Sequence, residues 1–211
     1  MATDATLAEP AADTRTRILD ATEELMLEEG YAGVSSRKVS ARAGLKSKIL
    51  HYYFKTMDDL FIAAFERREE QYFARFAAAA AAPDPLRELW SLAVQSANNK
   101  LYLEYNALAS HRPRLRAFIA RSNARDRVQM TEALSVVFSA RNIDTERLPP
   151  AAVATAIAGL ARVFATDLAL GTSEGHASTI ALVDRLLRDI VAGEPRLADW
   201  PPMSEDKAPH A

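Results

Sequence analysis

The segment from Gly30 to Met57 constrains the fold more than any other. It holds Arg37, Lys38, Arg42, Lys46, Lys48 and Lys55 and no acidic residue, in a chain whose 26 Lys+Arg and 28 Asp+Glu leave a net charge of −2. An otherwise acidic chain has gathered an acid-free basic segment, the electrostatic footprint of a nucleic-acid contact. The same segment reads as two short helices around a tight turn. Ser35 or Ser36 can cap the first, its hydroxyl accepting an orphan backbone N–H. Val39 and Ala43, four apart, share one face. Gly44, between Ala43 and Leu45, suits the left-handed conformation that ends a helix, because it has no Cβ to clash. A second helix follows from Lys46 or Ser47 to Tyr53. Leu50 and Phe54 point one way, and Ser47, Lys48, His51 and Tyr52 occupy other faces. Two short crossed helices with an exposed polar second member describe a helix-turn-helix.

The rest of the chain also reads as helix, so the expected class is all-α. About nine helices form an N-terminal three-helix unit and a larger C-terminal helical unit. Residues 1–12, small, polar and containing Pro10, read as a disordered tail. The first helix starts near Asp13 or Thr14 and ends at Gly30, with Ile18, Ala21, Thr22, Leu25 and Met26 as its apolar stripe. Arg15 and Arg17 open it, where the helix dipole disfavours cations. Thr56-Met57-Asp58-Asp59 has the form of a capping box. It opens a long helix carrying Leu60, Phe61, Ala64, Phe65, Tyr72, Phe73 and Phe76, which fades through Ala77 to Ala82 and stops at Pro83. A fifth helix is expected from Leu86 to Ser110, with Trp90, Val94, Ala97, Leu101, Tyr105 and Leu108 at helical spacing. A further one runs from Arg114 to Arg141. Pro149 and Pro150 start a helix that reaches Leu170, with Gly171 as its cap. The last helix runs from His176 to Ala192. The division is therefore a helix-turn-helix unit at 13–57, a ligand-binding and dimerisation unit at 58–195, and a loose tail at 196–211.

Several function classes fall away. Cysteine is absent, which removes thiolate metal sites and cysteine nucleophiles and fits a reducing cytoplasm. No run of about eighteen apolar residues is evident, so no membrane span is expected, and the first ten residues lack the pattern of a signal peptide. The four histidines, His51, His111, His176 and His210, are scattered without metal-ligand spacing. Only seven glycines are present, none in a phosphate-cradling loop. The expectation is a non-enzyme with no cofactor, no metal and no catalytic residues.

The run from Thr14 to Leu60, T-R-T-R-I-L-D-A-T-E-E-L through S-R-K-V-S-A-R-A-G-L-K-S-K-I-L-H-Y-Y-F-K-T-M-D-D-L, resembles the DNA-binding domain of the TetR family of transcriptional regulators. It spans about a quarter of the chain; beyond Leu60 only length and helical pattern agree. The resemblance implies that Ser47, Lys48, Ile49 and Tyr52 face bases in a major groove, Ile49 through an apolar contact alone. Arg37 matches a position where the family can place an arginine in the groove, and a bidentate Arg–guanine pair is worth about 1–3 kcal/mol of discrimination. Ser36, Lys46, His51, Tyr53 and Lys55 read as phosphate contacts, which set position rather than sequence. The plainer reading of Tyr52 and Tyr53 is packing. The chain departs from the family pattern at Lys46, His51, Tyr53 and Met57, and the Met57 difference puts one phosphate contact in doubt. For Arg15 and Arg17 the resemblance implies nearness to the DNA backbone or minor groove; two solvated arginines are the alternative.

The family binds palindromic double-stranded DNA as a homodimer, and most members are repressors released by a small-molecule effector. The expected dimer interface is Ala152, Ala156, Gly159 and Val163, a small-residue stripe, with Ile180, Val183, Leu187 and Val191, together able to build a four-helix bundle. Packing within one subunit is the alternative. The expected ligand pocket is Phe65, Trp90, Asn98, Tyr102, Tyr105, Phe118 and Phe164, which suits a mostly apolar ligand; a plain aromatic core is the alternative. Arg112, Arg114, Arg116, Arg121, Arg125 and Arg127, with Asp126 the one acid among them, read as a solvated face. An acidic ligand such as an acyl-CoA, or a dimer rim, would use the same charges. A constitutive DNA-binding regulator or an activator without a ligand remains a rival class.

Overall fold

Apolar residues recur at three- and four-residue spacing along nearly the whole chain, and each such run forms a helix. The structure, a computed structural model, describes residues 5–97 and 100–192, without the side chains of residues 5–12, 97 and 191. Among the described residues there are nine α-helices and no strand. They are α1 (Ala5–Glu29), α2 (Ser36–Arg42), α3 (Ser47–Tyr53), α4 (Met57–Ala80), α5 (Pro85–Ala97), α6 (Lys100–His111), α7 (Pro113–Ala140), α8 (Pro150–Ala169) and α9 (His176–Ala192). A 3-10 turn, Tyr31–Gly33, links α1 to α2.

Three outcomes differ from the sequence expectation. The first helix begins at Ala5, not near Asp13, so helix extends into the segment expected to be disordered. The single helix expected over Leu86–Ser110 is two helices, α5 and α6. Asn98 and Asn99, whose side chains compete for backbone hydrogen bonds, fall between them and lie outside the described residues. And α8 is, by length and composition, long and apolar enough to cross a membrane, although no such run was expected. Its count is carried by alanines, and it also holds Arg162 and Asp167. Residues 1–4, Asn98 and the tail at 196–211 are outside the described residues.

Local chemistry explains the boundaries around the short helices. The Ser35 hydroxyl accepts from the Lys38 N–H at 3.4 Å at the start of α2. Gly44 has φ +66°, and the Leu45 N–H returns to the Ser40 carbonyl at 2.8 Å, closing α2 where a side chain would strain the backbone. At α4 the Asp59 N–H donates to Thr56 Oγ1 at 3.1 Å and the Thr56 N–H to Asp59 Oδ2 at 3.0 Å, a complete capping box.

Two hydrophobic clusters organise the packing. The first joins Ile18, Leu25 and Met26 of α1 to Val39, Leu50, Phe54, Leu60 and Phe61, and continues into Leu101, Tyr105 and Leu108 of α6 and Leu115 and Ile119 of α7. The second lies among the end of α4, α5, the later part of α7, α8 and Ile190 of α9. The N-terminal helices thus share their core with α6 and α7, and that shared core sets the orientation of α2 and α3 on the body.

Candidate nucleic-acid interface and ligand cavity

Helix α3 is anchored by Leu50 and Phe54, both buried, with Val39 of α2 beneath. That anchoring turns Ser47, Lys48, Ile49, His51 and Tyr52 outward, with Lys46 and Lys55 exposed at either end. Tyr52 is 75% exposed. Its ring meets the edge of Tyr53 at 5.4 Å and 87°, while Tyr53 is half-buried against the first core cluster. The two tyrosines therefore divide the roles: Tyr53 packs and Tyr52 stands free. Lys46 occupies the N-cap of α3 without a side-chain cap bond.

The basic residues of this unit are not equivalent. Lys38 is hydrogen-bonded to Glu29. Arg42 donates to Glu28 at 2.6 Å and lies 3.3 Å from Glu24. The hydrogen bond from Arg42 holds the Glu28 carboxyl below its ordinary range, against the small opposing effect of burial. Arg17 donates to the Ala43 carbonyl at 2.6 Å, satisfying the C-terminal end of α2, and Arg15 lies 5.7 Å from the centre of the Phe54 ring. These side chains brace the helices. Arg37, Lys46, Lys48 and Lys55 are exposed and make no ion pair among the described residues. Ser36 is half-buried beside Arg37. The acids that neutralise Lys38 and Arg42 belong to α1, so the pairing is invisible in the local sequence of the basic segment.

A cavity of about 310 Å³ lies among α4, α5, α6, α7 and α8. Phe65, Tyr102 and Tyr105 are in its wall. Trp90 and Phe164 are not: they are buried in the second core with their rings 6.4 Å apart. Phe118 packs edge-on against Phe65 at 6.0 Å, outside the lining. Bulky rings at helical spacing fill the centre of the bundle, and only those near a gap between helices meet the cavity. The lining also contains groups that aromatic spacing alone does not single out: Arg68, Tyr72, Ser96, Asp126, Arg127 and Arg162. The Tyr72 hydroxyl donates to Asp126 Oδ1 at 2.6 Å. Burial raises the Asp126 carboxyl above its ordinary pKa, with the Tyr72 hydrogen bond and the arginines opposing. Burial, then the neighbouring Asp126 charge, raises the Tyr72 phenol too. The Tyr105 hydroxyl and Ser96 Oγ are buried without a partner among the described residues. One sequence signal pointed here, since Asp126 is the lone acid in an arginine-rich run.

That run is divided by the fold. Arg112 pairs with Asp58, and Arg114 donates to Asp59 at 2.9 Å. Arg121 and Arg125 lie over the rings of Phe118 and Phe73, and Arg127 reaches the cavity. Other polar contacts tie α1 to the body. Glu104 accepts from the Tyr31 N–H at 2.7 Å, Lys100 donates to the Leu27 carbonyl at 2.8 Å, and Arg67 donates to Asp20 at 2.6 Å. Helix α6 therefore carries Tyr102 and Tyr105 at the cavity and Lys100 and Glu104 at the joint with the N-terminal unit.

On α8, Ala152, Ala156 and Val163 are exposed, and a Cβ placed at Gly159 would meet nothing within 4 Å. The small-residue stripe thus faces away from the chain's own core. On α9, Ile180, Val183 and Leu187 are half-buried against the second cluster, and Leu182 is the large apolar side chain left exposed on this helix among the described residues. The side chain of Val191 is outside the described residues. Among the described residues no cluster of three or more His, Asp or Glu is placed to hold a metal ion.

Residues 18–64 match the sequence family described as bacterial regulatory proteins, tetR family. No curated protein sequence matches the chain. Among solved structures, a TetR transcription regulator from Haloarcula marismortui is similar at 16% identity and a TM-score of 0.68, over 89% of this chain and 97% of that one. A Saccharomonospora viridis protein named as a transcriptional regulator, solved with choline, is similar at 16% identity and a TM-score of 0.63, over 86% and 96% of the two chains. The multidrug binding protein EbrR, solved with malachite green, is similar at 26% identity and a TM-score of 0.56, over 81% and 96%. Residues 18–64 thus match the tetR family of bacterial regulatory proteins, and the chain as a whole has the fold of the TetR-family transcription regulators it is similar to.

Proposed function

We propose that this chain is a cytoplasmic transcriptional repressor that binds a palindromic operator as a homodimer and releases it when a small ligand fills the cavity. The reading divides the chain into a DNA-reading unit at 13–57 and an effector and dimerisation unit at 58–195. The observation that carries it is the outer face of α3, where Ser47, Lys48, Ile49, His51 and Tyr52 stand exposed between Lys46 and Lys55, two cations unpaired among the described residues. A short helix held by Leu50 and Phe54 can enter a major groove, where each base pair presents its own donor and acceptor pattern. Ser47, Lys48, Ile49 and Tyr52 read bases, Arg37 reaches the groove from α2, and Ser36, Lys46, His51 and Lys55 hold phosphates. Tyr53, through its half-buried ring, contributes mainly by placing Tyr52. The exposed stripe Ala152, Ala156, Gly159 and Val163 supports the dimer. The similarity to structures named for bound choline and malachite green supports a ligand in the helical body.

Selection from randomised duplex DNA, at low and at moderate salt, tests the reading. Enrichment of a palindrome with two half-sites about one helical turn apart is expected. Retention without any enriched motif, lost as salt rises, would leave only a backbone-binding surface.

The ion pairs sharpen this. Lys55→Ala lowers operator affinity roughly tenfold and makes its salt dependence shallower, by about one unit of slope for the phosphate the side chain neutralises. Lys38→Ala, whose charge is already answered by Glu29, changes affinity by no more than about threefold, because exposed pairs contribute little. Fluorescence anisotropy across a salt series measures both. Equal losses for the two variants would mean that the pairing with Glu29 does not distinguish them.

A further inference from the structure

The cavity has an apolar interior and an unbalanced edge. Four arginines line it, Arg68, Arg75, Arg127 and Arg162, against two acids, Glu69 and Asp126. Two of the arginines are occupied: Arg68 lies 3.6 Å from Glu23, and Arg75 donates to Gln95 at 2.8 Å. Arg127 of α7 and Arg162 of α8 are close enough to Asp126 to act on its carboxyl, yet neither makes a hydrogen bond or an ion pair among the described residues. Asp126 already accepts from the Tyr72 hydroxyl. Two exposed guanidinium groups on neighbouring helices thus stand near Asp126 at the cavity edge without a direct ion pair among the described residues. A second observation is independent of charge. Tyr105, 1% exposed, and Ser96 both line the cavity, and both hydroxyls are buried without a partner among the described residues. Buried polar groups are rarely left so unless something absent from the protein completes them.

We propose that the effector of this cavity is an anion: a ring-bearing apolar body with one carboxylate or similar oxyanion, held between Arg127 and Arg162. A polar group on the body reaches the hydroxyls of Tyr105 and Ser96. The inference rests on the reading of this cavity as the ligand site. A guanidinium fork matches an oxyanion in charge and in geometry. A cationic ligand would meet both arginines beside a carboxylate that Tyr72 already holds. The volume of about 310 Å³ is at the small end for ligand pockets, which fits a fused two-ring body and leaves a group as large as an acyl-CoA outside.

Calorimetry on the full chain decides it, with three probes of one shape: 2-naphthoate, neutral 2-naphthalenemethanol and cationic 2-naphthylmethylammonium. The naphthoate is expected to bind about tenfold more tightly than the alcohol, with an advantage that shrinks as salt rises. The double variant Arg127→Met/Arg162→Met is expected to lose that advantage while binding the alcohol unchanged, its melting temperature showing that it is folded. Tighter binding of the ammonium probe, lost in Asp126→Asn, overturns the proposal in favour of a cation site. Equal binding of naphthoate and alcohol, unaffected by the double variant, overturns it while leaving the cavity as a ligand site. If none of the three binds, the cavity reading fails and takes the anion with it.

Discussion

The double substitution Ala156→Glu/Val163→Asp turns the protein into a monomer in sedimentation and lowers its affinity for the selected palindrome by at least about a hundredfold. Both positions are exposed on α8, Val163 at 53%, between side chains small enough to let a second helix approach. At Gly159 there is open space where a Cβ would lie. Carboxylates at these positions would be buried without partners on association, which costs far more than the removal of a few methyl groups from the packing. Each monomer would then hold one half-site, without the effective concentration that links the two. The monomer itself keeps its fold, because surface changes usually alter stability by no more than about 0.5 kcal/mol. A variant that remains dimeric would place the interface elsewhere. A wild-type protein that is monomeric at working concentration would remove the homodimer from the proposed function.

Phe61→Ala has the largest expected effect on stability, about 3–5 kcal/mol. Phe61 is 1% exposed in the first core cluster, and the Arg112 guanidinium lies over its ring, 5.2 Å from the centre. It sits in α4 where the N-terminal helices meet α6 and α7. Removing the ring opens a cavity at that junction and leaves Arg112 with Asp58 alone. Urea unfolding should show a lower midpoint in one transition, since the cluster includes residues from α1 through α4 and from α6 and α7. Two resolved transitions, with the N-terminal helices melting first, would instead mark residues 13–57 as an independently stable unit. A loss under about 1 kcal/mol would mean that the junction repacks around the gap.

Much of this was legible in the sequence because it is local chemistry. The Ser35 cap, the turn at Gly44 and the reciprocal Thr56–Asp59 bonds involve residues within a few positions of each other. The stripe on α1 was legible for the same reason, down to Thr22, which is buried but satisfied by its own helix through the Ile18 carbonyl at 2.8 Å. Other features escaped because their partners are far away in the chain. Lys38 and Arg42 looked like DNA-facing charge until Glu29, Glu24 and Glu28 were placed beside them. Trp90 and Phe164 looked like a pocket wall and are core. Tyr72 and Asp126 are 54 residues apart and looked unrelated.

The sequence by itself determined that the chain is helical, where its short helices begin and end, and which segment carries the basic helix-turn-helix. Those properties follow from side-chain spacing, caps and glycine, all of which act within a turn or two of backbone. The tertiary structure alone decided which cations stay free, which rings line the cavity, and which faces of α8 and α9 point outward. Burial and ion pairing depend on residues brought together across tens of positions, and hydrophobic periodicity marks a buried face without saying which helix covers it.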